Sequence, residues 1–218
     1  MIRENLHTLL QQLPATTRLV AVSKYRPLED LQAAYDAGQR IFAESRPLEF
    51  SGKAASLPGD IEWHFIGHLQ TNKLKYVVGR AALIHSVDSI RLLDAMEAYC
   101  TRNGIVQGIL VEVHIGAEQT KQGFSPEEAE KLFGDMDALC SRYPHIRFRG
   151  LMGMASHTDD TERIEKDFIL IKDLFDRISS VHPGHDVFSE LSIGMSADWK
   201  IAIRHGATMV RIGSAIFG

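Results

Sequence analysis

Short apolar, β-branched runs recur along this chain, and each is followed by helix-like material. They fall at 19–24, 40–44, 61–66, 82–87, 108–113, 147–152, 190–193 and 208–212. Runs that stay apolar without strict alternation fit strands buried on both faces, as in parallel sheets covered by helices. Parallel neighbours need crossover connections, so the cadence is strand, helix, strand, helix. Eight such units in 218 residues predict one domain over residues 1–218, a (β/α)8 or TIM barrel, with an open doubly wound sheet as the alternative. No G-x-G-x-x-G follows the first run, which leaves a dinucleotide-binding open sheet without its usual support.

Local chemistry punctuates the repeat. Leu6, Leu9, Leu10 and Leu13 line one helical face before Pro14, predicting an extra N-terminal helix over 3–13. A helix over 28–37 is closed by Gly38, and Gly79, Gly104 and Gly206 each precede a strand where the backbone must turn sharply. Ser125-Pro126-Glu127-Glu128 carries an N-cap, a proline at the first helical position and a capping-box glutamate. Asp159, Asp160 and Glu162 suit the start of a long helix around 163–178.

A formal charge of −4 argues against a general nucleic-acid footprint, so an anionic ligand must be held by local groups. No run reaches the roughly 18 apolar residues of a membrane span, and the N-terminus lacks an apolar signal region. Cys100 and Cys140 have neither CxxC nor zinc spacing, which fits reduced thiols in a cytosol. A cytoplasmic monomer is expected.

In such a barrel the working face is the C-terminal end of the strands. Lys24 ends the first run there, sharing a strand face with Val20 and Val22. If that face lines the interior, the amine is half desolvated, which lowers a lysine's pKa and frees it to attack a carbonyl. Taken alone, a lysine ending a strand in solvent is the plainer reading. Arg211 has matching parity on strand eight, which closure makes the neighbour of strand one. Two cations at one mouth are costly unless an anion or polar ligand sits between them. Gly213-Ser214 then opens a short helix-compatible segment, the arrangement of a phosphate turn. Ser192-Ile193-Gly194-Met195-Ser196 repeats the hydroxyl and glycine pattern, although a helix cap before Ala197-Asp198-Trp199 would alone account for Ser196. His64 and His68 straddle a strand end and a loop, favouring hydrogen bonding over zinc. Asn72 could cap a helix opened by Thr71-Asn72-Lys73, and Lys73, Lys75 and Lys121 are candidate secondary amines or plain surface charges.

Several stretches together resemble the YggS/PROSC family of pyridoxal phosphate (PLP) homeostasis proteins across essentially the whole chain. They are Ala21-Val22-Ser23-Lys24, Trp63-His64-Phe65-Ile66-Gly67-His68-Leu69-Gln70-Thr71-Asn72-Lys73, His85-Ser86-Val87-Asp88-Ser89, Leu191-Ser192-Ile193-Gly194-Met195-Ser196 and Val210-Arg211-Ile212-Gly213-Ser214-Ala215-Ile216-Phe217-Gly218. The resemblance implies an alanine racemase-like barrel holding PLP as a Schiff base on Lys24. It also implies Arg211 near the pyridine nitrogen and phosphate contacts from the turns containing Ser192, Ser196, Gly213 and Ser214. Two departures stand out: Ala43-Glu44-Ser45 replaces an expected Gly-Glu-Asn, and Val113-His114 replaces Val-Asn.

A cation at the pyridine nitrogen leaves it unprotonated and makes PLP a weaker electron sink. A racemase also needs a base on each side of the substrate carbon, and the barrel alone offers only Lys24. The expected function is therefore a PLP carrier or buffer in vitamin B6 homeostasis, without efficient turnover, with apo PLP-dependent enzymes as recipients. A low-activity PLP-dependent racemase and a cofactor-free Schiff-base aldolase are the alternatives.

Overall fold

A computed structural model describes residues 1–117, 122–181 and 188–218; the candidate amine Lys121 lies outside the described residues. The chain closes into a barrel of eight parallel strands in sequence order. Helix α1 (Ile2–Gln12) precedes β1 (Arg18–Val22), then come α2 (Leu28–Asp36), β2 (Ile41–Glu44), α3 (Pro47–Ser56) and β3 (Glu62–Phe65). A 3-10 turn (Thr71–Lys73) leads into α4 (Leu74–Val77), β4 (Leu83–Val87), α5 (Ile90–Asn103) and β5 (Gln107–His114). Two short helices, α6 (Pro126–Leu132) and α7 (Met136–Arg142), precede β6 (Ile146–Met154) and α8 (Thr161–Val181). The circuit ends with β7 (Glu190–Ser192), α9 (Trp199–Arg204), β8 (Met209–Ile212) and α10 (Ser214–Phe217).

Every predicted strand is present within two residues of its expected ends, because the apolar runs are what the two layers bury. Outward-facing side chains such as Leu19, Phe42, Phe65, Ile84 and Val210 join the inner faces of the helices in one continuous core. Val20, Ala43, Leu83, Leu110, Met152 and Met209 fill a smaller cluster inside the barrel. The two layers follow from the two-residue period of a strand.

The capping box at α6 forms as predicted: Ser125 Oγ accepts from the Glu128 amide, and Glu128 accepts from the Ser125 amide. Asp160 starts α8 by accepting from the amides of Glu162 and Arg163. Gly79, Gly104 and Gly206 adopt positive φ. Gly150 marks a bulge in β6, where pairing steps from Phe148 to Gly150 opposite Ile109 and Leu110. Its φ is +149°, and a Cβ there would lie 1.8 Å from the Glu190 carbonyl oxygen. Only glycine permits that approach of β6 to β7.

Three local expectations are corrected. β1 stops at Val22, so Lys24 lies in a turn rather than on a strand. Ser196 does not cap α9; Asp198 occupies the cap position and its Oδ1 takes the Met195 amide at 2.5 Å. Asn72 lies inside the 3-10 turn, whose cap position belongs to Gln70, with no side-chain cap bond.

Candidate functional site at the C-terminal mouth

The turn carrying Lys24 is held from both sides. Ser23 Oγ donates to Glu44 Oε1 at 2.6 Å, and the buried Lys53 amine donates to that same oxygen, to Ser23 O and to Glu49 Oε1 at 2.7–2.8 Å. On the other side, the Tyr25 amide donates to Glu49 Oε1 at 3.0 Å. Tyr25 sits at φ +63°, a left-handed conformation unusual for an aromatic residue, with Arg46 over its ring at 4.4 Å. Glu44 from β2 and Lys53 from α3 thus form a clamp on the turn. Burial pushes the Glu44 carboxyl above its ordinary range, against the bonds from Lys53 and Ser23 that lower it.

Lys24 itself is exposed, and its amine makes no hydrogen bond or ion pair among the described residues. The expected half-desolvated amine is therefore corrected: the turn carries the side chain out of the inward-facing row of Val20 and Val22, and the protein alone does not bury it. Arg211 lies deeper, opposite Val20 in the β1–β8 pairing, and is only 4% exposed. Its guanidinium donates to Ser192 O and Ser192 Oγ at 2.7 Å and to Gly153 O at 2.9 Å. All three acceptors are neutral, so a buried cation stands without a hydrogen-bonded carboxylate among the described residues. Burial pushes its pKa down to about 10, which leaves it charged at neutral pH.

The predicted serine and glycine residues separate into two groups. Ser192 is fully buried and faces Arg211, and its hydroxyl also meets His85 Nδ1 at 3.0 Å. Ser196 Oγ instead accepts from the Gly213 amide at 3.3 Å, tying the loop after β7 to the loop after β8. Ser214 opens α10 and is exposed. Gly213 is pressed onto β1, since a Cβ there would come within 3.0 Å of Val22 O.

Sequence reasoning missed Glu112. It is 3% exposed, and its Oε2 has no hydrogen-bond partner among the described residues. Burial, together with the charge of Asp88, pushes its carboxyl up to about 7. Glu112 lines a cavity of about 290 Å³ with His114, Met154 and Met195. The parity it shares with Leu110 was the available signal, since an inward acidic residue in an apolar run needs a reason. His64 proves to be hydrogen-bonded, to Glu62 and His85, while His68 pairs with Asp88 at 3.0 Å.

An orphaned carboxylate oxygen, a cation with only neutral acceptors and an unengaged lysine at one end of the barrel fit a small ligand bearing both anionic and electrophilic groups. PLP has that chemistry. The barrel is of the alanine racemase type, and residues 1–218 match the family "Alanine racemase, N-terminal domain". A pyridoxal phosphate homeostasis protein of Aquifex aeolicus is 38% identical over 202 residues, covering 92% of this chain and 86% of the relative. PipY of Synechococcus elongatus, solved with PLP bound, superposes with a TM-score of 0.87 at 32% identity, covering all of both chains. An alanine racemase of Clostridium difficile shares the fold at TM-score 0.79 and 17% identity, with this chain covering 59% of it. The chain belongs to the pyridoxal phosphate homeostasis proteins, within the alanine racemase N-terminal domain family.

Proposed function

We propose that this protein is a PLP carrier or buffer: one domain over residues 1–218 that holds PLP covalently but reversibly through Lys24. The observation that carries this reading is Arg211, a buried guanidinium with neutral acceptors only, beneath a mouth that bears an unengaged lysine. The names of the curated relatives and the PLP-bound PipY structure support it.

Bound PLP supplies a reactive aldehyde and an electron-withdrawing ring. Lys24 is the amine within reach of such an aldehyde, and the Glu44–Lys53 clamp orients the turn that carries it. Arg211 can donate but never accept, so set against a pyridine nitrogen it would leave that atom without a proton. Ser192 acts through Arg211 by fixing its fork. Ser196 holds the Gly213 loop, and the Gly213–Ser214 turn would hold the phosphate. Glu112, with a carboxyl that titrates near neutrality, is the further group available to the ligand.

Weak or absent turnover follows from the same set. Arg211 would withhold the proton that strengthens the electron sink, a state suited to holding the cofactor rather than to efficient turnover. The protein then serves apo PLP-dependent enzymes as a cytoplasmic monomer. Among the described residues no helix is long and apolar enough to cross a membrane.

The purified protein is expected to be yellow and to lose its visible band in Lys24→Ala. A protein that stays colourless after incubation with PLP would overturn the reading, and robust amino-acid racemisation lost in Lys24→Ala would replace the carrier with an enzyme.

A further inference from the structure

Below Arg211 the barrel interior carries a line of polar groups. Arg211 Nη1 donates to Ser192 Oγ at 2.7 Å, and Ser192 Oγ lies 3.0 Å from His85 Nδ1. His85 Nε2 lies 2.9 Å from His64 Nδ1, and His64 Nε2 lies 2.9 Å from Glu62 Oε1. Glu62 in turn faces Arg18 at 3.6 Å. Ser192, His85 and His64 are each 0% exposed, so the line runs unbroken through the interior from one mouth to the other.

With both rings neutral, the carboxylate end fixes the direction of every bond. A carboxylate only accepts, so His64 holds its proton on Nε2 and points Nδ1 at His85. His85 then donates from Nε2 to His64 and leaves Nδ1 to accept from the Ser192 hydroxyl. At the far end a guanidinium has no acceptor, so Arg211 donates to Ser192, whose proton remains available for His85. The order set at Glu62 is thus an Nε2–H tautomer on both rings. Burial above all, with the charges of Arg211 and Arg18 acting the same way, pushes the His85 pKa well below its ordinary value, so that ring stays neutral. The hydrogen bond from His64 holds Glu62 below the usual carboxylate range, with Arg18 and Arg149 adding to the effect. Glu190, paired with Arg18, is the remaining charge at that end.

Apolar side chains fill the interior beside this line, and a buried polar file is costlier than more of the same. We propose that Glu62, His64, His85 and Ser192 are positioning residues. They form a one-way hydrogen-bond relay that locks the donors of Arg211 and couples the charge at the N-terminal mouth to the ligand at the C-terminal mouth. The locking stands on the ligand-free chain; the coupling to ligand rests on the PLP reading above.

The test has two arms. In ¹⁵N-histidine NMR of the ligand-free chain, His64 and His85 are expected as Nε2–H tautomers at pH 7.5. Glu62→Gln is expected to move the nitrogen shifts of His85, although Glu62 bonds only to His64 within the relay. An Nδ1–H tautomer on either ring, or unmoved His85 signals, overturns the relay. In the PLP-loaded chain, a pH titration of the visible band reads the coupling. Removing the negative charge with Glu62→Gln is expected to lower the midpoint by on the order of half a pH unit, and removing the positive charge with Arg18→Met to raise it similarly. Asp60→Asn, an exposed charge just before β3, is expected to leave it in place. Opposite signs are what a purely structural role would not give, and Arg18→Met keeps the test available should Glu62→Gln fold poorly. Unmoved midpoints overturn the coupling. A chain that takes up no PLP overturns the functional reading instead, while the NMR arm still decides the relay.

Discussion

The two mouths of the barrel use similar residue types to opposite ends. At the N-terminal mouth charges meet their complements: Arg18 pairs with Glu190 and Glu62, Arg149 approaches Glu190 at 4.0 Å, and Thr208 Oγ1 donates to Glu190 Oε2 at 2.9 Å. Two glutamines pin the strand starts there, Gln39 through Leu19 O and Ile41 O, and Gln107 through Ala81 O and the Gly79 amide. At the C-terminal mouth, among the described residues, Arg211 has only neutral acceptors, Glu112 Oε2 has no donor, and Lys24 is unengaged. The satisfied end stabilises the fold, while the unsatisfied end keeps polar capacity in reserve for a ligand. The contrast is one of degree, since Arg149 Nε also lacks a partner.

Substitutions should therefore cost stability at one mouth and gain it at the other. The largest effect is expected at Gly150, whose added Cβ would collide with the Glu190 carbonyl. Gly150→Ala should lose about 3 kcal/mol or more, seen as a collapse of the urea midpoint; a near-neutral result would mean that the seam between β6 and β7 yields easily. Glu112→Gln should act in the opposite direction. Its carboxyl titrates near 7 in the folded chain against 4.5 as the ordinary value, so the folded state binds the extra proton between those limits. Stability is thus undiminished below pH 4.5, falls as pH rises across that window and is lowest above 7. The substitution should gain up to about 3 kcal/mol at pH 8 and little at pH 4, measured by denaturant titration at both. Equal gains at the two values would remove Glu112 from the list of strained groups. The smallest effect is expected at Tyr25: Tyr25→Asn suits φ +63° better and should stabilise by less than about 1 kcal/mol in the urea midpoint. A loss of stability there would show that stacking with Arg46 outweighs the backbone conformation.

The barrel was legible because burial on both faces of a strand leaves an apolar run that one chain repeats eight times. The pairing of strands one and eight followed from closure, and with it the convergence of Lys24 and Arg211 on one mouth. What sequence could not supply was the depth of each cation. The chain turns after Val22, which lifts Lys24 out, whereas Arg211 stays within β8 and is buried. Ser196 looked like a cap because it precedes a helix, but α9 starts only at Trp199, and the Asp198 carboxylate in the cap position turns back to the Met195 amide. The Glu44–Lys53 clamp joins a strand to the following helix through two side chains whose meeting no local pattern announces. The relay was hidden in the same way: Glu62, His64 and His85 align only once β3 and β4 are placed side by side.

The β1–β8 pairing has a kinetic side. Its four registered residue pairs, from Arg18 with Met209 to Ala21 with Ile212, join segments from opposite ends of the described chain. Asn5 Nδ2 adds a 3.0 Å bond to Ile216 O, and Arg26 lies over the Phe217 ring. Contacts so distant in sequence carry the largest loop-closure cost and form late. Arg211 lies within this seam and Lys24 just past its end, so the pair comes together only when the circle shuts. A ligand gripped by both would act as a latch across the slowest joint of the molecule, slowing its opening in proportion to occupancy.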